Sequence, residues 1–216
     1  MNVKGVVFDM DGLMFDTENL TYKLQCGVLD AMGLSGLSLD EYKLTVGKRT
    51  ADLESFFKDR FGDGFDCAAF RAKCREAYIG YTDKHGVPIK DGLFGLLRHL
   101  KALGIKTAVC TSTTFRSAER TLRIAGALPY FDELVCAEDV KNGKPHPEPF
   151  RKSAEKLGLE PAECVALEDS INGIKSAFAA GLIPIMVPDL IPPTDDIKPM
   201  CRAVCASLFD VISLIE

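Results

Sequence analysis

The sequence predicts a doubly wound α/β fold, a parallel sheet covered by helices on both faces and interrupted by an all-helical insertion. Short apolar runs alternate with helical patterns from about Val87 to the C-terminus, as strand–helix repeats do in such sheets. One earlier apolar run stands apart at the N-terminus and ends in Asp9. Between the two lies a long stretch, residues 17–84, without any strand-like run.

The first element, Val3-Lys4-Gly5-Val6-Val7-Phe8, reads as a strand buried on both faces. Comparable runs follow at Lys106–Cys110, Glu133–Cys136, Cys164–Leu167 and Ile183–Val187. Helical patterns separate them at Gly92–Leu103, Phe115–Ala125, Glu148–Leu157 and Ser170–Ala180. Gly104, Gly126, Gly158 and Gly181 each follow one of these, where a left-handed helix cap favours glycine. Within the insertion, Leu20, Leu24, Val28, Leu29 and Met32 mark one helical face. Leu53, Phe56 and Phe57 mark a second, and Phe70, Cys74, Ala77, Tyr78 and Tyr81 a third. The expected domains are therefore residues 1–16 with 85–216 as a catalytic core, and 17–84 as the helical insertion. The two crossings, at 16–18 and 83–88, are expected to act as a hinge. Ile191–Asp196, with two prolines, reads as a surface loop.

The 216 residues are 47% hydrophobic and 26% charged, which excludes a disordered chain. A net charge of −5 argues against nucleic acid as partner, since that would need a basic face. No apolar run approaches the roughly 20 residues that span a bilayer, so no membrane partner is expected. The opening Met1-Asn2-Val3-Lys4-Gly5 has no secretory pattern. The eight cysteines form no Cys-x-x-Cys pair and no cluster with histidine, so they read as reduced thiols rather than zinc ligands. A cytoplasmic protein is expected. Nothing in the sequence builds an oligomer, and a monomer is the expectation.

In open α/β sheets, sites form beyond the carboxyl ends of the strands. Here those ends carry Asp9-Met10-Asp11-Gly12, then Thr111-Ser112, then the loop Gly143-Lys144-Pro145, then Glu168-Asp169-Ser170. Taken singly, these residues read as a turn, a strand residue, a surface cation and a helix cap. Together they bring four carboxylates, hydroxyls and one ammonium to the same side. Unpaired carboxylates so placed would repel one another. Mg²⁺ resolves this, because it takes oxygen ligands from one or two carboxylates plus a substrate phosphate. Cation, ammonium and hydroxyl together suit the oxygens of a phosphoryl group. One of the pair Asp9 and Asp11 can then attack phosphorus, and the other can serve as acid and base.

Phe8-Asp9-Met10-Asp11-Gly12-Leu13, Cys110-Thr111-Ser112, Gly143-Lys144-Pro145 and Leu167-Glu168-Asp169-Ser170 resemble, in order, the four motifs of the haloacid dehalogenase superfamily. The likeness covers the whole chain. It is to the branch with a helical cap after the first strand, which holds phosphoglycolate, sugar-phosphate and nucleotide phosphatases and β-phosphoglucomutase. The resemblance implies Asp9 as nucleophile and Asp11 as acid/base. It implies Mg²⁺ held by Asp9, the Asp11 backbone carbonyl and Asp169, with Glu168 nearby. Thr111 and Lys144 would hold the phosphoryl oxygens, with Ser112 beside them at the substrate.

In the cap, Gly47-Lys48-Arg49-Thr50 interrupts the helical pattern. It reads either as a loop presenting Lys48 and Arg49 to substrate or as a solvated connection in which Thr50 caps the next helix. Glu18 reads either as a substrate contact or as the start of a helix. His146, between two prolines, is expected at the surface, and Ser170 is expected to cap a helix.

The expected activity is hydrolysis of a small phosphorylated metabolite, a sugar phosphate or nucleoside monophosphate, through an aspartyl-phosphate. A phosphosugar mutase of the β-phosphoglucomutase type is the alternative. Those mutases carry a cap histidine that activates a sugar hydroxyl; here Thr21 stands at that position, and residues 17–84 contain no histidine. A dehalogenase would not need Asp11. A receiver-type signalling module would be about half this length and would lack the insertion.

Overall fold

The structure is a computed structural model that describes residues 3–34, 36–48 and 50–215. Two compact units make up the chain: one runs to Asp16 and resumes at Val87, and the other is Thr17–Gly86.

The first unit is built on six parallel strands in the order β3-β2-β1-β4-β5-β6. They are β1 (Gly5–Phe8), β2 (Lys106–Cys110), β3 (Glu133–Val135), β4 (Cys164–Glu168), β5 (Ile183–Met186) and β6 (Ala203–Val204). Sequence and space disagree because β1 takes the centre, which makes the sheet doubly wound. Val6, Val7 and Phe8 are wholly buried because both faces of β1 are covered. Val6 and Phe8 share one face with Val109, Val165, Leu167 and Ile185; Val7 shares the other with Ala108, Cys110 and Ala166.

The first face is covered by α5 (Leu93–Ala102), α6 (Phe115–Ile124) and α9 (Leu208–Val211). In α5 the apolar positions Leu93, Leu96, Leu97 and Leu100 recur at helical spacing, and each is fully buried. Each such side chain contributes about 1.5–3 kcal/mol. The opposite face is covered by α7 (Glu148–Leu157) and α8 (Ile171–Ala180), through Phe150, Ala154, Leu157, Ala177 and Ala180. The register carries the site residues together. Phe8 pairs with Val109 and with Leu167, so the next residue, Asp9, stands level with Cys110 and Glu168. The Asp9 amide donates to the Leu167 carbonyl at 2.9 Å, extending the ladder one step beyond β1.

Among the described residues the second unit has four helices: α1 (Thr17–Ala31), α2 (Leu39–Lys43), α3 (Thr50–Phe61) and α4 (Cys67–His85). The sequence reading had three helical faces. The short α2 is additional, and its capping box of Ser38 and Glu41 was visible in the spacing Ser-x-x-Glu. α4 runs past the expected boundary at 84, because the helical pattern continues to His85 and stops at Gly86, whose φ is 78°. Asp83, expected in a crossing, lies inside this helix. Tyr81, expected on an apolar face, is exposed and packs its ring on His85. The interior instead centres on Phe57, whose ring lies 4.9 Å from Phe70, 5.7 Å from Phe65 and 6.3 Å from Phe61. Phe61 and Phe65 escaped the periodicity because one ends a helix and the other sits in a turn.

Two-residue β6 and four-residue α9 were not expected either. Elements this short carry no period to read. All eight cysteines are free thiols. Among the described residues, no helix is long and apolar enough to cross a membrane.

Truncating Phe57 to Ala would remove the centre of the aromatic cluster. Phe57→Ala is expected to destabilise the helical unit by about 3–5 kcal/mol. Chemical denaturation of the full chain checks this, and an unchanged midpoint would contradict it.

Candidate active site

Asp9 follows β1 and is almost wholly buried, 8% exposed. Asp11 lies two residues on, in a tight turn where the Gly12 amide donates to the Phe15 carbonyl at 2.9 Å. Gly12 has φ +85°, which favours glycine, and its α-carbon faces Asp169 so closely that a Cβ there would collide with Oδ2 of that residue. The turn thus seats the first acidic motif directly against the last.

Lys144 joins the carboxylates. Its Nζ donates to Asp9 Oδ1 at 2.5 Å, to Glu168 Oε1 at 2.6 Å and to the Cys110 carbonyl at 2.8 Å. These three partners use all three ammonium protons. The Phe150 ring lies 5.0 Å from the charge, and the Lys144 side chain is 8% exposed. The Lys144–Pro145 peptide bond is cis.

Glu168 is fully buried and its second oxygen is also occupied. Oε2 accepts from the Ser170 amide at 3.0 Å and from the Ser170 hydroxyl at 2.9 Å. Ser170 in turn caps α8, accepting from the Gly173 amide at 3.0 Å. Gly173 lies hard against the Glu168 carboxylate, with no room for a Cβ. Both oxygens of Glu168, an expected metal ligand, are thus engaged, one by Lys144 and the other by Ser170.

Thr111 is buried and its Oγ1 accepts from the Thr113 amide at 3.1 Å, which leaves its own proton to donate elsewhere. Ser112 is exposed beside it, and both line a small cleft of about 170 Å³ with Gly143 and Lys144. The Thr113 hydroxyl donates to Asp11 Oδ2 at 3.0 Å. Thr113 was not singled out from the sequence, although it sits only two residues beyond Thr111.

In the helical unit, Glu18 lies in the first turn of α1 and accepts from the Tyr42 hydroxyl at 2.6 Å. Glu18 and Lys48 both line a cavity of about 420 Å³ within that unit. Arg49 lies outside the described residues. His146 is half exposed; its Nδ1 accepts from the Glu148 amide at 3.2 Å, so it shapes its own loop.

The electrostatics follow from burial. Desolvation pushes the Asp9 carboxyl from an ordinary 3.8 up to about 8; Lys144 opposes this, while Glu168 and Asp11 reinforce it. Burial, then the charges of Glu168 and Asp9, holds Asp169 well above the usual carboxylate range. Burial would lower Lys144, but Asp9 and Glu168 outweigh it and keep the ammonium charged. Against one lysine stand Asp9, Asp11, Glu168 and Asp169, so the fully ionised cluster is strongly negative. Asp189, on the loop after β5, adds a further observation. Its side chain is 5% exposed, and its Oδ2 is buried without a hydrogen-bond partner.

This donor set fits a hard divalent cation. The orphaned Asp189 oxygen, the Gly12 cradle and the excess of carboxylate oxygens all favour one. Among the described residues, no group of three His, Cys, Asp or Glu side chains stands ready as a cage.

A parallel sheet with these carboxylates, lysine and threonine at its strand ends defines a class of hydrolase, and comparison with known proteins gives the family. Residues 3–181 match the haloacid dehalogenase-like hydrolases, and the chain belongs to that family. It is an enzyme, a hydrolase. Hexitol phosphatase A of Escherichia coli (strain K12) is 33% identical over 181 residues, 84% of this chain and 81% of that protein. The phosphorylated carbohydrates phosphatase of Thermotoga maritima is 29% identical over 180 residues, 83% of this chain and 82% of that one. The crystal structure of CbbY from Rhodobacter sphaeroides in complex with phosphate superposes with a TM-score of 0.79 at 24% identity, covering 97% of this chain and 96% of that one. This last likeness is one of fold.

Two outcomes follow. A carboxyl whose folded pKa exceeds its unfolded value adds stability below the unfolded value and loses it as pH rises through the folded one. The cation-free protein is therefore expected to melt progressively lower from about pH 4 to about pH 8 through Asp9, with Asp169 acting in the same direction. Melting curves in excess chelator check this, and a rising melting temperature over that window would contradict it. Separately, Gly173→Ala should push Glu168 off Lys144. Activity is expected to fall roughly 10–100-fold with a lower melting temperature; an unperturbed variant would show that the carboxylate has room to move.

Proposed function

We propose that this hydrolase is a Mg²⁺-dependent phosphatase of small phosphomonoesters, sugar phosphates first and nucleoside monophosphates second, acting through an aspartyl-phosphate on Asp9. The observation that carries this reading is the Lys144 bridge. It fixes Asp9 Oδ1 and so leaves Oδ2 as the oxygen for attack.

Asp9 Oδ2 forms a bond to phosphorus as the bond to the ester oxygen breaks. Asp11, oriented by Thr113, gives its proton to the departing oxygen. Asp11 then takes a proton from water as that water attacks phosphorus, releasing phosphate and restoring the Asp9 carboxylate. Thr111 donates its hydroxyl proton to a phosphoryl oxygen, and the Lys144 charge favours the phosphoryl group. We assign Mg²⁺ to Asp9, the Asp11 carbonyl and Asp169. When bound, it would neutralise phosphoryl charge and lower the proton affinity of Asp9. Glu168 we assign to positioning Lys144 rather than to the cation.

The organic part of the substrate we assign to the cavity of the helical unit. Glu18, Thr21 and Lys48 offer it an acceptor, a hydroxyl and a cation, and Gln25 Oε1 is buried there without a partner. These polar groups, set among apolar side chains such as Leu53 and Phe70, suit a hydroxylated carbon chain, and the two curated relatives above are named for phosphorylated sugars or sugar alcohols. The absence of histidine from residues 17–84 favours water over a sugar hydroxyl as acceptor. Eight unpaired thiols, four of them pushed by burial up to about 11, suit the cytoplasm.

Asp9→Asn is expected to abolish turnover, and acid quench of the wild type should trap phosphate on Asp9. Label on another residue would sink the assignment. Lys48→Ala should raise KM more than it lowers kcat, by roughly 1.5–3 kcal/mol if a charged hydrogen bond is lost. β-Glucose 1-phosphate should yield free phosphate; glucose 6-phosphate as product would overturn hydrolysis.

A further inference from the structure

Asp189 stands outside the four motifs, yet it reaches the same place. It lies three residues beyond β5, the strand beside β4. Its Oδ1 accepts from Lys90 Nζ at 2.5 Å, and the same Nζ lies 3.6 Å from Asp16 Oδ1. Lys90 is itself pinned, its amide donating to the Met14 carbonyl at 3.0 Å at the far end of the turn that holds Asp11 and Gly12. The other oxygen, Oδ2, has no partner although it is buried. A Cβ on Gly12 would stand 3.4 Å from that oxygen and would run into Asp169 Oδ2. Both carboxylates therefore close on one α-carbon from neighbouring strands.

An ionised buried oxygen without a donor is costly and needs an account. Lys90 neutralises the group but reaches only one of its two oxygens. The second is directed at the Gly12–Asp169 cradle, where donors would arrive only with a hydrated ion. The geometry points to Asp189 as an outer-sphere carboxylate of the cation site, its Oδ2 accepting from the ion's water shell, with Lys90 trimming its charge. Asp189 is thus a positioning residue rather than a ligand. This presupposes the cation site assigned to Asp9 and Asp169.

Outer-sphere partners of metal sites are worth roughly 10–100-fold in affinity. Calorimetric titration of the full-length protein with MgCl₂ alone, without substrate, reads that affinity. Asp189→Asn is expected to weaken Mg²⁺ binding by roughly 10–100-fold. Lys90→Met removes a neighbouring positive charge while leaving Asp189 in place, and is expected to tighten it. A merely structural latch between the two side chains would move both variants the same way. Parallel weakening, with parallel loss of melting temperature, would overturn the assignment. So would unchanged affinity in Asp189→Asn while Asp169→Asn loses binding; that result leaves the cation site itself intact. Failure of the wild type to bind Mg²⁺ would remove both together. Should Asp189→Asn fold poorly, the direction of the Lys90→Met change still decides.

Discussion

The site depends on one buried ammonium. Among the described residues Lys144 is the one cation that bonds to the carboxylates of Asp9 and Glu168, and it spends every proton on fixed acceptors. Removing it would leave Asp9 and Glu168 buried without a counter-charge, at a cost of about 3–5 kcal/mol. Its position is in turn over-determined. Glu168 holds it from one side and is itself locked by Ser170 and by the missing side chain of Gly173. Local helix capping at the start of α8 is thereby linked, through Glu168 and Lys144, to the carboxylate just beyond β1.

Layered support of this kind explains why the sheet topology matters more than any single motif. β1 is central, so its end is flanked by the ends of β2 and β4. The carboxylate, the hydroxyl and the second acidic pair arrive side by side at one end of the sheet without long loops. Rigid strands hold these groups more firmly than loops could, which suits a reaction that relies on placement and charge. The helical unit is built differently. Its interior is a cluster of phenylalanines, two of which line a cavity that also carries polar side chains, a construction that can vary its lining without disturbing the sheet.

The sequence alone determined which residue types stand at which strand ends. Strand periodicity and glycine caps place Asp9, Thr111, Glu168 and Asp169 at or just beyond the ends of their strands, because such patterns are local and follow from burial on both faces. Family membership was legible for the same reason, since it rests on short motifs in a fixed order. Only the tertiary structure decided the partners. That Glu168 is occupied by Lys144 and Ser170, that Thr113 orients Asp11, and that Asp189 turns an unpartnered oxygen toward Gly12 all involve residues on different elements. Hydrogen-bond pairing over such separations depends on register and side-chain direction, and neither leaves a periodic trace in the chain.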